Sequence, residues 1–216
     1  MKFLSFDCAN KSLAYCYMEI QDMRTIYKNL AIQNFEAAKS SIKIIKCGVV
    51  DILDGVNIKN TDAVIRARAL RIFIEKHINP LELPAETIIL IEAQPPHMFG
   101  RNSNFTNLLS NAVSTQLCYH FAADYSVEFV SPKLKNKFAF LYPIEFLAGG
   151  SSKYANRKKH SKDNGIHFLT IFGQLDSIKA VPKCYYDDVC DAILQTLAFY
   201  KYKVLCVKDC KIEKAK

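Results

Sequence analysis

Lys2-Phe3-Leu4-Ser5-Phe6-Asp7-Cys8-Ala9-Asn10-Lys11-Ser12-Leu13-Ala14-Tyr15-Cys16-Tyr17-Met18-Glu19-Ile20 is the stretch on which the fold turns. Residues 2–7 carry aromatic and apolar side chains and read as a strand that ends on Asp7. Residues 11–20 read as a second strand. Only three residues separate the two, which predicts a hairpin and an antiparallel pair. Residues 42–52, beginning Ile42-Lys43-Ile44, continue the meander as a third strand. Residues 21–41 are mixed and polar and read as an insertion.

Beyond the meander the pattern changes period. Thr61 is placed to cap a helix over 62–78, with Ala63, Ala67, Leu70, Ile74 and Ile78 on one stripe. Residues 86–92 contain Ile88-Ile89-Leu90-Ile91 before Glu92, a branched run without alternation, as in a strand covered on both faces. A long helix over 103–124 and a short strand over 127–130 follow. Residues 131–164 read as a basic region of lower order, and 184–202 as a final helix, apolar almost all round and therefore buried. The order β-β-β-α-β-α-β followed by helices predicts a mixed α/β sheet in one domain spanning 1–216.

Half of the 216 residues are hydrophobic and 23% are charged, which supports a sizeable core and excludes a disordered or collagen-like chain. No apolar run approaches the roughly 18 residues of a membrane helix, and the N-terminus lacks a signal-peptide pattern. The expectation is a soluble intracellular protein with no membrane partner. Its 8 cysteines include no Cys-x-x-Cys pair and read as reduced thiols. Cys206 and Cys210 have no nearby His pair to complete a zinc site. The net charge of +8 points to nucleic acid as a partner.

Three acidic clusters stand where core elements end. Asp7 closes the first strand and Glu92 the central one. Asp188 and Asp191, three apart, share a face of the last helix, which Gln195 extends by a turn. Singly, each acid fits a turn or a helix cap as well as a site. Together they meet the rule that strand ends in an open sheet converge on the active edge. Carboxylates gathered there repel until a cation joins them, and oxygen ligands suit Mg²⁺, with Mn²⁺ as substitute. Two such ions can activate water and stabilise a leaving oxygen at a phosphodiester.

Residues 3–15 resemble the opening of the RuvC-like resolvases of the RNase H-like superfamily. Ile89-Leu90-Ile91-Glu92-Ala93-Gln94-Pro95 resembles their second motif, and Asp187-Asp188-Val189-Cys190-Asp191-Ala192 their terminal Asp-Asp-x-x-Asp-Ala. Within that group the chain is most similar to the poxvirus-type Holliday junction resolvases of large cytoplasmic DNA viruses. The resemblance implies an RNase H-like five-stranded mixed sheet with helices on both faces. It implies Asp7, Glu92, Asp188 and Asp191 as catalytic ligands for two Mg²⁺ ions. It also implies cleavage of four-way DNA junctions by a homodimer, in the host cytoplasm for a viral chain. Two departures are visible: the family's Gly is Ala9, and its Asn is Ser12.

Residues 131–164 hold eight basic and two acidic residues, most of the chain's net charge. Arg157, Lys158 and Lys159 form a candidate phosphate grip, an alternative to an ordinary solvated face. Lys133 and Lys135 follow the 127–130 strand, where the resemblance places a lysine near the scissile phosphate. Arg101, with Phe99 or Phe105, could contact a junction from the loop after Glu92. The long helix offers Leu108, Leu109, Val113, Leu117 and Phe121 as a candidate dimer face, with burial in the monomer core expected for at least half of them. A ribonuclease acting on RNA–DNA hybrids and a non-catalytic binding protein remain as alternatives. A sugar-kinase or chaperone ATPase fits poorly, because the chain has 7 Gly and no Gly-x-Gly.

Overall fold

A computed structural model describes residues 1–8, 12–22, 24–26, 39–56, 61–93, 104–137 and 153–205; for 104–109, 136, 137 and 153–157 only the backbone is described. Five strands form one sheet in the order β3-β2-β1-β4-β5: β1 Lys2–Cys8, β2 Ser12–Ile20, β3 Ile42–Asp51, β4 Ile88–Glu92 and β5 Ser126–Val130. β2 is antiparallel to β1 and β3, as the short links dictate. β1, β4 and β5 run parallel, because a helix crosses over between each successive pair. The mixed five-stranded sheet expected from the sequence is therefore present.

Strand alternation divides the core. From β1, Leu4, Phe6 and Cys8 face one side, and Phe3 the other. On the first side lie α1 (Ala63–Phe73, continued by a π turn over Ile74–Ile78) and α2 (Asn104–Phe121). Phe6 stacks on Phe121 there at 5.8 Å and meets Phe73 edge-on. The second side holds α3 (Pro132–Lys137), α4 (Lys153–Ile171) and α5 (Tyr186–Phe199). α5 packs on β1 and β2, with Val189, Ile193, Leu197 and Ala198 buried against Phe3, Cys16 and Met18. Among the described residues no helix is long and apolar enough to cross a membrane, and no disulfide joins the six described cysteines.

Several sequence expectations are corrected. The cap of α1 is Asp62, whose carboxylate accepts from the Ile65 amide at 2.7 Å. Thr61 instead accepts from the Arg66 guanidinium through its carbonyl and hydroxyl oxygens. Ala63 and Ala67 are exposed, and burial begins at Leu70. Their methyl groups offer too little apolar area to draw the first two turns onto the sheet. The supposed low-order region supplies two helices. α4 hid there because its first half is polar and its core contacts, Phe168 and Leu169, come only near its end. Within residues 21–41, Ile26 is fully buried in the α5-side core.

Candidate functional site

The site is built where parallel β1 and β4 end. Phe6 pairs with Ile91, so Asp7 and Glu92 each follow one residue later, on the α5 side of the sheet. The N-terminal turns of α5 bring Asp187, Asp188 and Asp191 to the same edge. The positive end of the helix dipole favours these anions. Gln195, almost fully buried one turn further, donates to Ser5 Oγ at 2.9 Å and to the Phe6 carbonyl at 3.3 Å. This clamp fixes α5 against β1 directly beneath Asp7. The polar stripe of α5 thus has two parts, an anchoring amide below and carboxylates above.

The carboxylates are organised around two lysines. Lys135 Nζ lies 2.7 Å from Asp191 Oδ2, 3.4 Å from Glu92 Oε2 and 3.9 Å from Asp7 Oδ1, and its side chain is 9% exposed. Lys158 Nζ, on α4, lies 2.5 Å from Asp187 and 3.5 Å from Asp188. Ser12 donates to Asp188 at 3.3 Å, and Ser161 donates to Asp191. Burial pushes Asp7 well above the ordinary carboxylate range, with Lys135 opposing the rise and Glu92 adding to it. Burial likewise raises Asp191 against Lys135. Asp188 is pushed up to about 6, by burial and then by its neighbours Asp187 and Asp7. Such groups bind protons or cations readily.

The donor set fits a hard divalent ion. All four expected ligands are carboxylates, and three of them already surround one cationic group. Among the described residues, however, no three acidic, His or Cys side chains are gathered closely enough to grip an ion as they stand. They are spread around an ammonium instead. A cavity of about 630 Å³ between β5, α3 and the end of α5 includes none of the four acids in its lining.

The structure separates residues that the sequence left together. Lys133 is exposed, whereas Lys135 points inward among the acids. Both lie on α3, whose first turn Ser131 caps by accepting from the Lys133 amide at 3.3 Å. Residues two apart on a helix point in different directions, so only one lysine could enter the site. Lys158 turns toward the acids and Lys159 to solvent. The Arg157 side chain, Arg101 and Ala9 lie outside the described residues. Sequence reasoning missed Ser161; its signal was the three-residue spacing from Lys158 on a helix that went unread. Ser12, noted only as a departure from a family pattern, proves to face Asp188. Gly165 lets α4 approach α5, since a Cβ there would sit 2.4 Å from Cys190 Cβ.

No family model and no curated protein sequence matches the chain. Solved structures do. The fowlpox virus resolvase in complex with its substrate Holliday junction DNA superposes with a TM-score of 0.53 at 14% identity, covering 93% of this chain and 97% of the other. RuvC of T. thermophilus in complex with a Holliday junction substrate gives 0.53 at 12% identity, covering 94% and 97%. The fowlpox virus Holliday junction resolvase in a further crystal structure gives 0.50 at 16% identity, covering 93% and 98%. Across nearly its whole length, the chain has the RuvC-like, RNase H-like fold of these resolvases.

Proposed function

We propose that this chain is a divalent-metal-dependent endonuclease that resolves four-way DNA junctions. One observation carries the reading. Four carboxylates from β1, β4 and α5 converge on one sheet edge, three of them around the buried Lys135 ammonium and the fourth, Asp188, beside Lys158, in a basic chain with a RuvC-like fold. Asp7, Glu92, Asp188 and Asp191 would hold the Mg²⁺ ions. When bound, such ions supply an activated water and stabilise the departing oxygen. The chain's own groups do the rest. Gln195 fixes the helix that carries two ligands. Ser12 and Ser161 orient Asp188 and Asp191. Lys159, exposed on α4 and next in sequence to Lys158, would offer charge to the phosphate backbone.

A homodimer belongs to this reading, since paired nicks on a two-fold junction need two sites and the chain carries one carboxylate set. Part of the α2 face named from sequence is taken up by the monomer core. Val113, Leu117 and Phe121 are buried within the monomer, and the side chains of Leu108 and Leu109 lie outside the described residues. α1 instead leaves Val64, Ile65 and Ile72 between 45% and 56% exposed, and we place the second copy there. The reduced cysteines fit an intracellular setting, the host cytoplasm for a viral protein.

The test is cleavage of a synthetic four-way junction with Mg²⁺, beside linear duplex and an RNA–DNA hybrid. Paired nicks confined to the junction are expected. Preferential cutting of the hybrid would favour a ribonuclease, and binding without cutting a non-catalytic protein.

A further inference from the structure

Lys135 occupies the place where a cation is needed. Its ammonium touches Asp191 and Glu92 and lies 3.9 Å from Asp7, three of the four acids assigned above to the metal. The side chain is almost buried, so this is no loose surface pairing. We propose that Lys135 is a resident counter-cation: it holds the carboxylates together in the metal-free protein, competes with the first divalent ion for them, and is displaced when that ion binds. The inference rests on the metal-dependent reading of the site.

Three observations support it. The first is electrostatic necessity. Asp7, Glu92 and Asp191 are largely buried side by side, and without a cation each would pay desolvation and mutual repulsion. An ammonium has three N–H donors, enough to serve three carboxylates. The second is tethering. Lys135 sits in the first turns of α3, which starts immediately after β5, and β5 is paired to β4 up to the Val130–Glu92 pair. The ammonium is therefore delivered at high effective concentration to the strand that carries Glu92. The third is shape. Among the described residues no three acidic, His or Cys side chains stand together closely enough to hold an ion, while three acids stand around the ammonium, so on this proposal loading draws the acids together as Nζ moves out.

Lys158 provides the internal comparison. It pairs with Asp187 and Asp188, but its side chain is 42% exposed. Water competes there, and its departure opens no buried nest. Removing Lys158 should change ion affinity much less.

The experiment is calorimetric titration of the full, chelator-treated chain with MgCl₂, with no DNA present, for wild type, Lys135→Met, Lys135→Arg and Lys158→Met. Thermal melting is followed in chelator and in Mg²⁺. Lys135→Met should bind Mg²⁺ about tenfold tighter or more, melt lower without metal, and gain more on loading. Lys135→Arg keeps the charge and should stay near wild-type affinity. Lys158→Met should shift it by less than Lys135→Met. Because Lys135→Met could fail to fold, wild-type protein labelled with ¹⁵N-lysine gives an independent readout. The ammonium signal absent from Lys135→Arg should move on adding Mg²⁺. Mg²⁺ binding with no gain for Lys135→Met, or with that signal unmoved, overturns the inference and leaves the metal reading standing. No Mg²⁺ binding by any of the chains overturns both.

Discussion

The two faces of the sheet break the inside-outside rule in opposite ways. On the α5 side, polar groups go in: Asp188, Asp191 and Gln195 sit on a helix whose residues from Val189 to Phe199 are otherwise mostly buried. On the α1 side, apolar groups stay out: Val64, Ile65 and Ile72 face solvent. Buried polar and exposed large apolar residues are the informative exceptions in a folded chain. On the reading proposed above, one exception marks chemistry and the other a surface for a second copy. The interiors beneath them are alike, aromatic and branched, and carry no functional signal.

The hardest way to break this comparison is to remove the carboxylates. Asp7→Asn, Glu92→Gln, Asp188→Asn and Asp191→Asn should each cut junction cleavage by more than about 10²-fold, beyond the effect typical of outer-sphere partners. Junction binding, measured by gel shift, should persist. Near-normal cleavage by any one variant removes that residue from the site. Asp187→Asn should have a smaller effect, within about 10–100-fold, because Asp187 is turned about 100° around α5 from Asp188.

The next largest effect sets the helices against each other directly. Leu197→Ala on α5 empties fully buried space and should cost about 2–5 kcal/mol in denaturant unfolding. Ile72→Ala on α1 should stay within about 0.5 kcal/mol for the monomer, since it is 48% exposed. Ile65→Glu with Ile72→Glu should leave the folded chain intact and shift sedimentation to the monomer. If that double variant still sediments as a dimer, the α1 face is not the interface.

A subtler break lies between α4 and α5. Gly165→Ala should destabilise by about 1–3 kcal/mol, because the new methyl meets Cys190 at 2.4–2.5 Å. Pushing α4 outward also carries Lys158 and Ser161 away from the acids. Cleavage should therefore fall beyond what the loss of folded protein explains, and Cys190→Gly should restore part of both. Unchanged melting would show that the helices have slack the structure does not indicate.

Much of this was legible in the sequence, for physical reasons. The hairpin, the branched β4 run and the apolar α5 have strong local periodicity, so the order of elements along the chain and the acid-bearing edge followed. The four acids could be read because each ends a core element. What stayed hidden depended on direction rather than type. Lys133 and Lys135 look alike in sequence, and only the turn of α3 sends one inward. Ser161 was illegible while α4 itself was, since a helix with a polar first half has weak periodicity. The α2 face stayed ambiguous because apolar spacing says that residues are covered, without saying by what. Val113, Leu117 and Phe121 are covered by the chain's own core.

The smallest effect asks whether the basic charge belongs to one face. Lys159 on α4 and Arg68 on α1 are both exposed and both add to the net charge of +8. A nonspecific attraction between a basic surface and DNA would treat them alike, because a diffuse field depends on total charge. A bound junction on the α5-side edge would not. Lys159 stands next to Lys158, which reaches Asp187 and Asp188, and on the proposed reading a phosphate backbone crossing the acids would meet it. Arg68 lies on the helix that covers the opposite face. Counterion release then gives different outcomes. Lys159→Ala should reduce the slope of log affinity against log salt by about one unit, and Arg68→Ala should leave it unchanged. The measurement is junction affinity from about 50 to 200 mM salt by fluorescence anisotropy, with metal withheld to prevent cutting. Equal losses of slope would mean that DNA does not distinguish the faces. Binding would then rest on overall charge, and the acidic edge would have to recruit its strand by another route.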